Sequence, residues 1–377
     1  MSSVGAELTM HGIREDATFV GRYLSALRRS ANRSFAPQLS FCMGSYLALF
    51  IYEGLRKLRS IDETLAQELS SGAEQMIVRS RHSLKFFEDT KRGLDGVRSA
   101  FGEEIIPAHR DYFVGLLRFK WLEPFAKDIG IYRYDDRVIS TTHSATFALG
   151  LEARTISQDD AGAQVRQFSE EYGQYFGRLG ARIDTHQTSF PDTLDPIAFS
   201  QKVEDLRSAK FYPDTFNGDS TPDLNAALVL LLGHLNFITY VVAPEGSEAP
   251  QSYTTFKIRF LTIYQVVRSL SILRDVQAET LRPDSRAVID TILQHPASIS
   301  ILRDDVRPLR NTLMHYGLDS RLDPSAVDTS AFIRSLIAAT LDENQADQFF
   351  ADVDSCISVA ARSMNDWFGR PTLRRGR

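Results

Sequence analysis

Cysteine is nearly absent from this chain: Cys42 and Cys356 are the only two, far apart and outside any CxxC pair. Their placement excludes a disulfide framework and a zinc cage of the usual spacing, and leaves two buried thiols in helices. A dominant charge of one sign is lacking as well. The net charge is −5 and the pI about 5.9, so no overall field attracts nucleic acid, and any such contact needs a local basic patch. The strings GxxxxGK[ST], GxGxxG, HExxH and GxSxG are missing. Nucleotide-hydrolysing, dinucleotide-binding, zinc-protease and α/β-hydrolase chemistries are set aside on that ground.

Long hydrophobic runs are few. The stretch Phe41 to Tyr52 is short, and Leu224 to Ala243 is interrupted by Asn225, His234 and Asn236. A bilayer span needs roughly 20 mostly apolar residues, and polar groups inside one are costly, so both read as core helices. The N-terminal stretch carries Glu7, Glu15 and Asp16 without an apolar block and does not read as a signal peptide. Hydrophobic residues at 43% and charged residues at 24% match an ordinary globular protein. The reading is a soluble, cytoplasmic, mainly α chain without membrane contact or cofactor, whose 377 residues suit two or three domains.

What is present is helical periodicity. The pattern predicts helices over Ala17–Ala31, ending in the basic run Arg28, Arg29 and Arg33, and over Leu39–Arg59. Ser60-Ile61-Asp62-Glu63 has the form of a capping box, opening a long helix from Asp62 through Met76, Ile77, Leu84 and Phe87 that loosens at Gly93 and Gly96. Another helix is expected over Pro107–Phe125. Around Asp135-Asp136, the apolar residues of Ile129–Ser140 predict one short β-hairpin, and helical periodicity returns over Asp159–Ala181.

Pro191, Pro196, Pro213, Pro222 and the turn Asn217-Gly218-Asp219 mark a boundary. Inside it we expect a surface-wrapped linker with a short helix near Ile197–Leu206. The expected division is a mainly helical N-terminal domain over 1–186, a linker over 187–218, a helical bundle over 219–370 and a basic tail over 371–377. Thr221, Pro222 and Asp223 form a helix entry. Bundle helices are expected near 223–243, 252–278, 284–295, 300–316, 328–341 and 344–368.

The chemistry-bearing segment is Val306-Arg-Pro-Leu-Arg-Asn-Thr-Leu-Met-His315-Tyr-Gly317. Leu302, Val306, Leu309 and Leu313 form an apolar stripe, while Arg307, Asn311 and His315 form a polar ridge with Arg310 beside it. At about 100° per residue, Arg310 and His315 sit about 140° apart. A second copy across a twofold would bring them together where one helix does not. Gly317 suits a left-handed C-cap, and Pro308 requires either a kink or a fresh helix start.

Arg310-Asn311-x-x-x-His315 resembles the Arg-x4–6-His motif of HEPN domains, including the polar residue after the Arg. The resemblance covers the helical outline of residues 219 to 370 and these few motif positions. It implies a helical bundle with metal-independent endoribonuclease activity, known from toxin–antitoxin, abortive-infection and CRISPR-linked systems, at a homodimer interface. It implies Arg310 and His315 as the catalytic pair and Asn311 as the residue that positions His315. Arg307 and Tyr316 are the expected substrate contacts, with RNA as substrate and a regulatory protein as a further partner. The residue types suit the chemistry. A His near neutral pKa moves protons, an Arg grips a phosphate with two donors, and the RNA 2′-hydroxyl serves as nucleophile. A catalytically silent helical protein that dimerises or binds a partner through the same face is the alternative.

Other signals read as structural. Arg79–Lys85 with His82 is the wet face of a helix, Arg137 and His143 match the motif spacing by chance in the hairpin region, and His234 is a hydrogen-bonded core residue. The pairs Asp135-Asp136, Glu103-Glu104 and Asp304-Asp305 point to different sides and are solvated charges.

Overall fold

The structure is a computed structural model and describes residues 3–29, 36–71, 73–88, 94–117, 119–153, 161–182, 201–216, 221–243, 252–276, 281–318 and 322–369. The expected basic tail, Arg33, Gly93, Pro191, Pro196 and the turn at Asn217–Asp219 lie outside the described residues.

The chain is mainly α with a small sheet, as the periodicity implies. In chain order, the N-terminal part holds α1 (Ser3–Arg29), α2 (Ala36–Cys42), α3 (Gly44–Ile61), α4 (Glu63–Ser70), α5 (Glu74–Ser83) and α6 (Lys85–Glu88). Then come α7 (Asp95–Ser99), a π-helical turn (Ala100–Ile105), α8 (Ile106–Gly115) and a 3-10 turn (Lys120–Phe125). The sheet region holds β1 (Ile129–Tyr134), β2 (Arg137–Thr141), α9 (Thr142–Ala148), α10 (Ala161–Arg182), β3 (Gln201–Leu206) and α11 (Ser208–Phe211). The remaining helices are α12 (Pro222–Phe237), α13 (Tyr253–Val276), α14 (Pro283–Leu293), α15 (Pro296–Ile301), α16 (Arg307–His315), α17 (Phe332–Leu341) and α18 (Ala346–Gly369).

The hairpin forms where expected. Asp135 and Asp136 adopt positive φ of 49° and 58°, the turn conformation that matches strand twist, and Ile131 pairs with Thr141. Its partner strand is a correction. Residues 201–206, expected in a short helix, form β3 and pair antiparallel with the free edge of β1, giving the order β2-β1-β3. Lys202, Glu204 and Asp205 hide this strand from propensity, and only the open edge of β1 recruits it.

Further corrections concern breaks. The capping box does not form: α3 runs through Ile61, and Asp62 alone caps α4 by accepting from Leu65 N at 2.9 Å. The long helix after Asp62 is three helices, α4 to α6, and the stretch expected over 300–316 is divided into α15, a 3-10 turn (Asp304–Val306) and α16. Gly150 (φ 59°) turns the chain close to Arg79, where a Cβ would collide with the Arg79 carbonyl.

One continuous hydrophobic cluster draws on both sides of the 187–218 stretch, including Leu55, Phe87, Leu232, Val267 and Leu313. The segment Pro222–Val242 is long and apolar enough to cross a membrane, yet 89% of its most apolar window is buried within the protein. It is therefore placed as a core helix, with α13 and α18 packed against α12. On the N-terminal side, α1 packs on α13 while α3 packs on α16. Those two contacts build the site.

Candidate functional site

Helix α16 is short because its sequence starts and stops it. Pro308 sits in the first turn, where its missing N–H costs nothing, which resolves the choice between a kink and a fresh start. Val306, Leu309 and Leu313 are fully buried, so these three residues of the predicted apolar stripe face the core, while the fourth, Leu302, is half-buried and lies at the end of α15. The left-handed residue at the C-terminus is Tyr316, with φ 52°, and not Gly317. A non-glycine residue in that conformation carries a cost of roughly 1 kcal/mol or more, which Tyr316 offsets through the bonds described below.

The outward face carries Arg307, exposed, with Arg310, Asn311 and His315 half-buried. Arg310 turns back onto the protein: Nη2 donates to the Phe87 carbonyl at 2.7 Å and Nη1 to Asn311 Oδ1 at 3.2 Å. Asn311 therefore holds Arg310, where the expected partner was the His315 ring. The residue beside that ring comes from α3. Glu53 Oε2 lies 3.2 Å from His315 Nδ1, not collinear enough for a hydrogen bond, and neither enclosed atom has a hydrogen-bond partner among the described residues. The Glu53 side chain is fully buried, whereas His315 keeps 32% of its side chain exposed. Two cations of α3 stand near Glu53 and the end of α16. Arg56 Nη1 stands 3.5 Å from Glu53 Oε1, and Lys57 Nζ fills the space where a Cβ on Gly317 would be.

Tyr316, expected at the surface as a substrate contact, points into the core. Its hydroxyl donates to Asp16 on α1, and its carbonyl accepts from Thr9 Oγ1 at 2.7 Å. Asp16 also accepts from Lys257 Nζ and Thr254 Oγ1, each at 2.7 Å, and Lys257 Nζ sits 3.6 Å from the Tyr316 ring centre. Burial lowers the Lys257 pKa, with Asp16 opposing that shift. Burial, followed by the Asp16 charge, raises the Tyr316 phenol well above its ordinary range. This network ties the end of the motif helix to α1 and α13.

A second polar cluster lies at the sheet. His143, on α9 and fully buried, reaches Tyr212 Oη at 3.0 Å and the Asp128 carbonyl at 3.1 Å. His109 is near Thr146 Oγ1 at 2.9 Å, with its ring centre 4.5 Å from that of His143. Burial lowers both histidines, His109 to about 4. Arg137 points away to Asp135 at 2.7 Å, so the second Arg–His spacing assembles nothing. His234 is a core residue whose Nδ1 donates to Leu230 O at 2.9 Å, with its ring stacked on Phe86. Among the described residues, no group of three or more His, Cys, Asp or Glu is placed to hold a metal ion.

The sequence singled out Arg307, Arg310, Asn311 and His315, and the fold presents all four on one short helix. Glu53, Lys57, Asp16 and Lys257 escaped it. The available signal was a lone acid or base inside an apolar run: Glu53 within Leu47–Leu55, and Lys257 within Tyr253–Phe260. Fold and site together define a mainly α protein with a small antiparallel sheet and a half-open histidine backed by a buried carboxylate. No protein-family model, no curated protein and no solved structure matches this chain.

Proposed function

We propose that the protein is a cytoplasmic, metal-independent endoribonuclease of HEPN type, active where the motifs of two copies meet. The observation that carries this reading is His315 at the end of α16, one-third exposed, with Arg307 exposed two turns earlier on the same helix, Lys57 beside Gly317 and Arg56 beside Glu53 as local positive charge. Local cations matter here because the chain as a whole is acidic.

In the reaction, His315 takes the proton of a ribose 2′-hydroxyl, whose oxygen attacks the adjacent phosphorus and displaces the 5′-oxygen. The leaving oxygen is protonated by the second histidine of the pair, which restores the proton balance. Arginine side chains hold the phosphate oxygens and stabilise the charge that builds on them. Helices α1 and α3 brace the motif helix, and this gives the N-terminal half a means of controlling substrate access or answering a regulatory partner. A defence or toxin role is the biological setting that the motif suggests.

A specific observation favours a second reading. Arg310 already gives donors to Phe87 and Asn311, as it would in a silent helical module that dimerises or binds a partner by this face. The deciding experiment is cleavage of a mixed cellular RNA pool in EDTA, beside the Arg310→Ala/His315→Ala double variant. Cutting by the wild type alone supports the ribonuclease. No cutting by either, with oligomer mass altered by the substitutions, supports the interaction module.

A further inference from the structure

Glu53 is the most anomalous side chain near the motif. It lies in the run Leu47-Ala-Leu-Phe-Ile-Tyr-Glu-Gly-Leu55, and its carboxylate is fully buried. Taking a carboxylate out of water costs several kcal/mol unless partners compensate it. The compensation on hand is thin. Arg56 approaches Oε1 from the surface at 3.5 Å, while Oε2 lies 3.2 Å from His315 Nδ1 and has no hydrogen-bond partner among the described residues. The nearby buried ammonium, Lys257, is bonded to Asp16.

We propose that Glu53 is the positioning residue of the His315 site: its carboxylate accepts the Nδ1–H, so that Nε2 is the nitrogen that exchanges protons with substrate. The inference rests on the ribonuclease reading for its chemistry, but the arrangement stands on geometry alone. Nδ1 is enclosed while the ring as a whole remains one-third exposed, so the open part of the ring is the part away from Glu53. A small rotation of His315 aligns Nδ1–H with Oε2, the kind of tightening that accompanies substrate binding. Fixing one nitrogen by a hydrogen bond selects the tautomer. When Nε2 takes the 2′-hydroxyl proton, the imidazolium forms against a carboxylate already in place, and the Nδ1 proton stays where it was. The other charged groups facing this pocket are Arg56 and Lys57 on α3, Lys257 on α13 and Asp16 on α1.

The test uses full-length protein labelled with ¹⁵N-histidine and long-range proton–nitrogen spectra recorded across neutral pH, with His315 assigned by its loss in His315→Gln. The wild type is expected to show neutral His315 protonated at Nδ1. Glu53→Leu should move it toward the Nε2–H form that prevails in water, and Glu53→Gln, which still accepts a hydrogen bond, should retain part of the native tautomer. In cleavage, Glu53→Leu should lower kcat on the order of 10²-fold with KM nearly unchanged, Glu53→Gln should recover part of the loss, and the alkaline-side pH profile should shift. A wild-type His315 protonated at Nε2, or a tautomer indifferent to Glu53, overturns the proposal. If Glu53→Leu fails to fold, the wild-type and Glu53→Gln spectra decide it. An Nδ1–H tautomer that depends on Glu53, in a protein that cuts no RNA, upholds the arrangement and removes the ribonuclease reading.

Discussion

Two regions of this molecule place a buried carboxylate near a histidine, and they differ in whether that carboxylate is already engaged. At the sheet, Asp128 Oδ1 accepts from Ser208 N at 2.6 Å and Oδ2 from Ser208 Oγ at 2.5 Å. Both oxygens start α11, and the nearby His109 and His143 are held neutral by burial. At the α3–α16 corner, Glu53 Oε2 has no hydrogen bond among the described residues and faces a histidine that is one-third exposed. A satisfied carboxylate is architecture. An unsatisfied one beside an accessible ring is a place where protons can move.

The comparison can be broken most severely behind the motif. Lys257→Ala leaves Asp16 buried without its ammonium, and a loss of about 3–5 kcal/mol is expected in urea unfolding. Asp16→Asn combined with Lys257→Met should recover much of it, because Asp16 is then no longer a buried charge without its partner. If the single substitution costs no more than an exposed one, the network is not the brace described here.

Acid separates the two regions next. His109, His143 and His234 are neutral in the folded state, because burial lowers them, with His109 and His234 near 4. Their ordinary value of 6.5 applies once the chain unfolds, so the unfolded state binds more protons. Stability is full above 6.5 and falls as pH drops toward 4, by up to about 1.4 kcal/mol per pH unit for each proton taken up. Urea midpoints measured from neutral to mildly acidic pH check this, and His109→Gln should flatten the slope.

Two smaller effects sharpen the contrast. Asp128→Ala removes the start of α11 at a cost of about 1–2 kcal/mol and should leave cleavage per folded molecule unchanged. Arg307→Ala should do the reverse: it changes stability by less than about 0.5 kcal/mol, since the side chain is exposed, while RNA binding weakens and becomes less steeply dependent on salt.

How much of this was legible in the sequence follows from the range of the interactions. The apolar stripe of α16, the hairpin turn at Asp135-Asp136 and the helix entry at Pro222 are written within a few residues, and each appears in the fold. The strand β3 was not legible, because Lys202, Glu204 and Asp205 carry no strand signal until β1 offers an edge. Breaks such as those between α4, α5 and α6 depend on how the segments pack. The motif residues were legible as a pattern on one helix. Their partners were not, since Glu53 and Asp16 reach His315 and Tyr316 only once the two halves of the chain are packed together. A left-handed Tyr316 in place of Gly317 is also a product of that packing, through Asp16 and Thr9.

The central claim is that His315 promotes attack by a ribose 2′-hydroxyl, and the most direct measurement compares unmodified RNA with fully 2′-O-methylated RNA of the same sequence. The wild type should cut only the unmodified strand, leaving 2′,3′-cyclic phosphate ends, and His315→Ala should cut neither. Cleavage of the methylated strand, or undiminished cleavage by His315→Ala, would contradict the account.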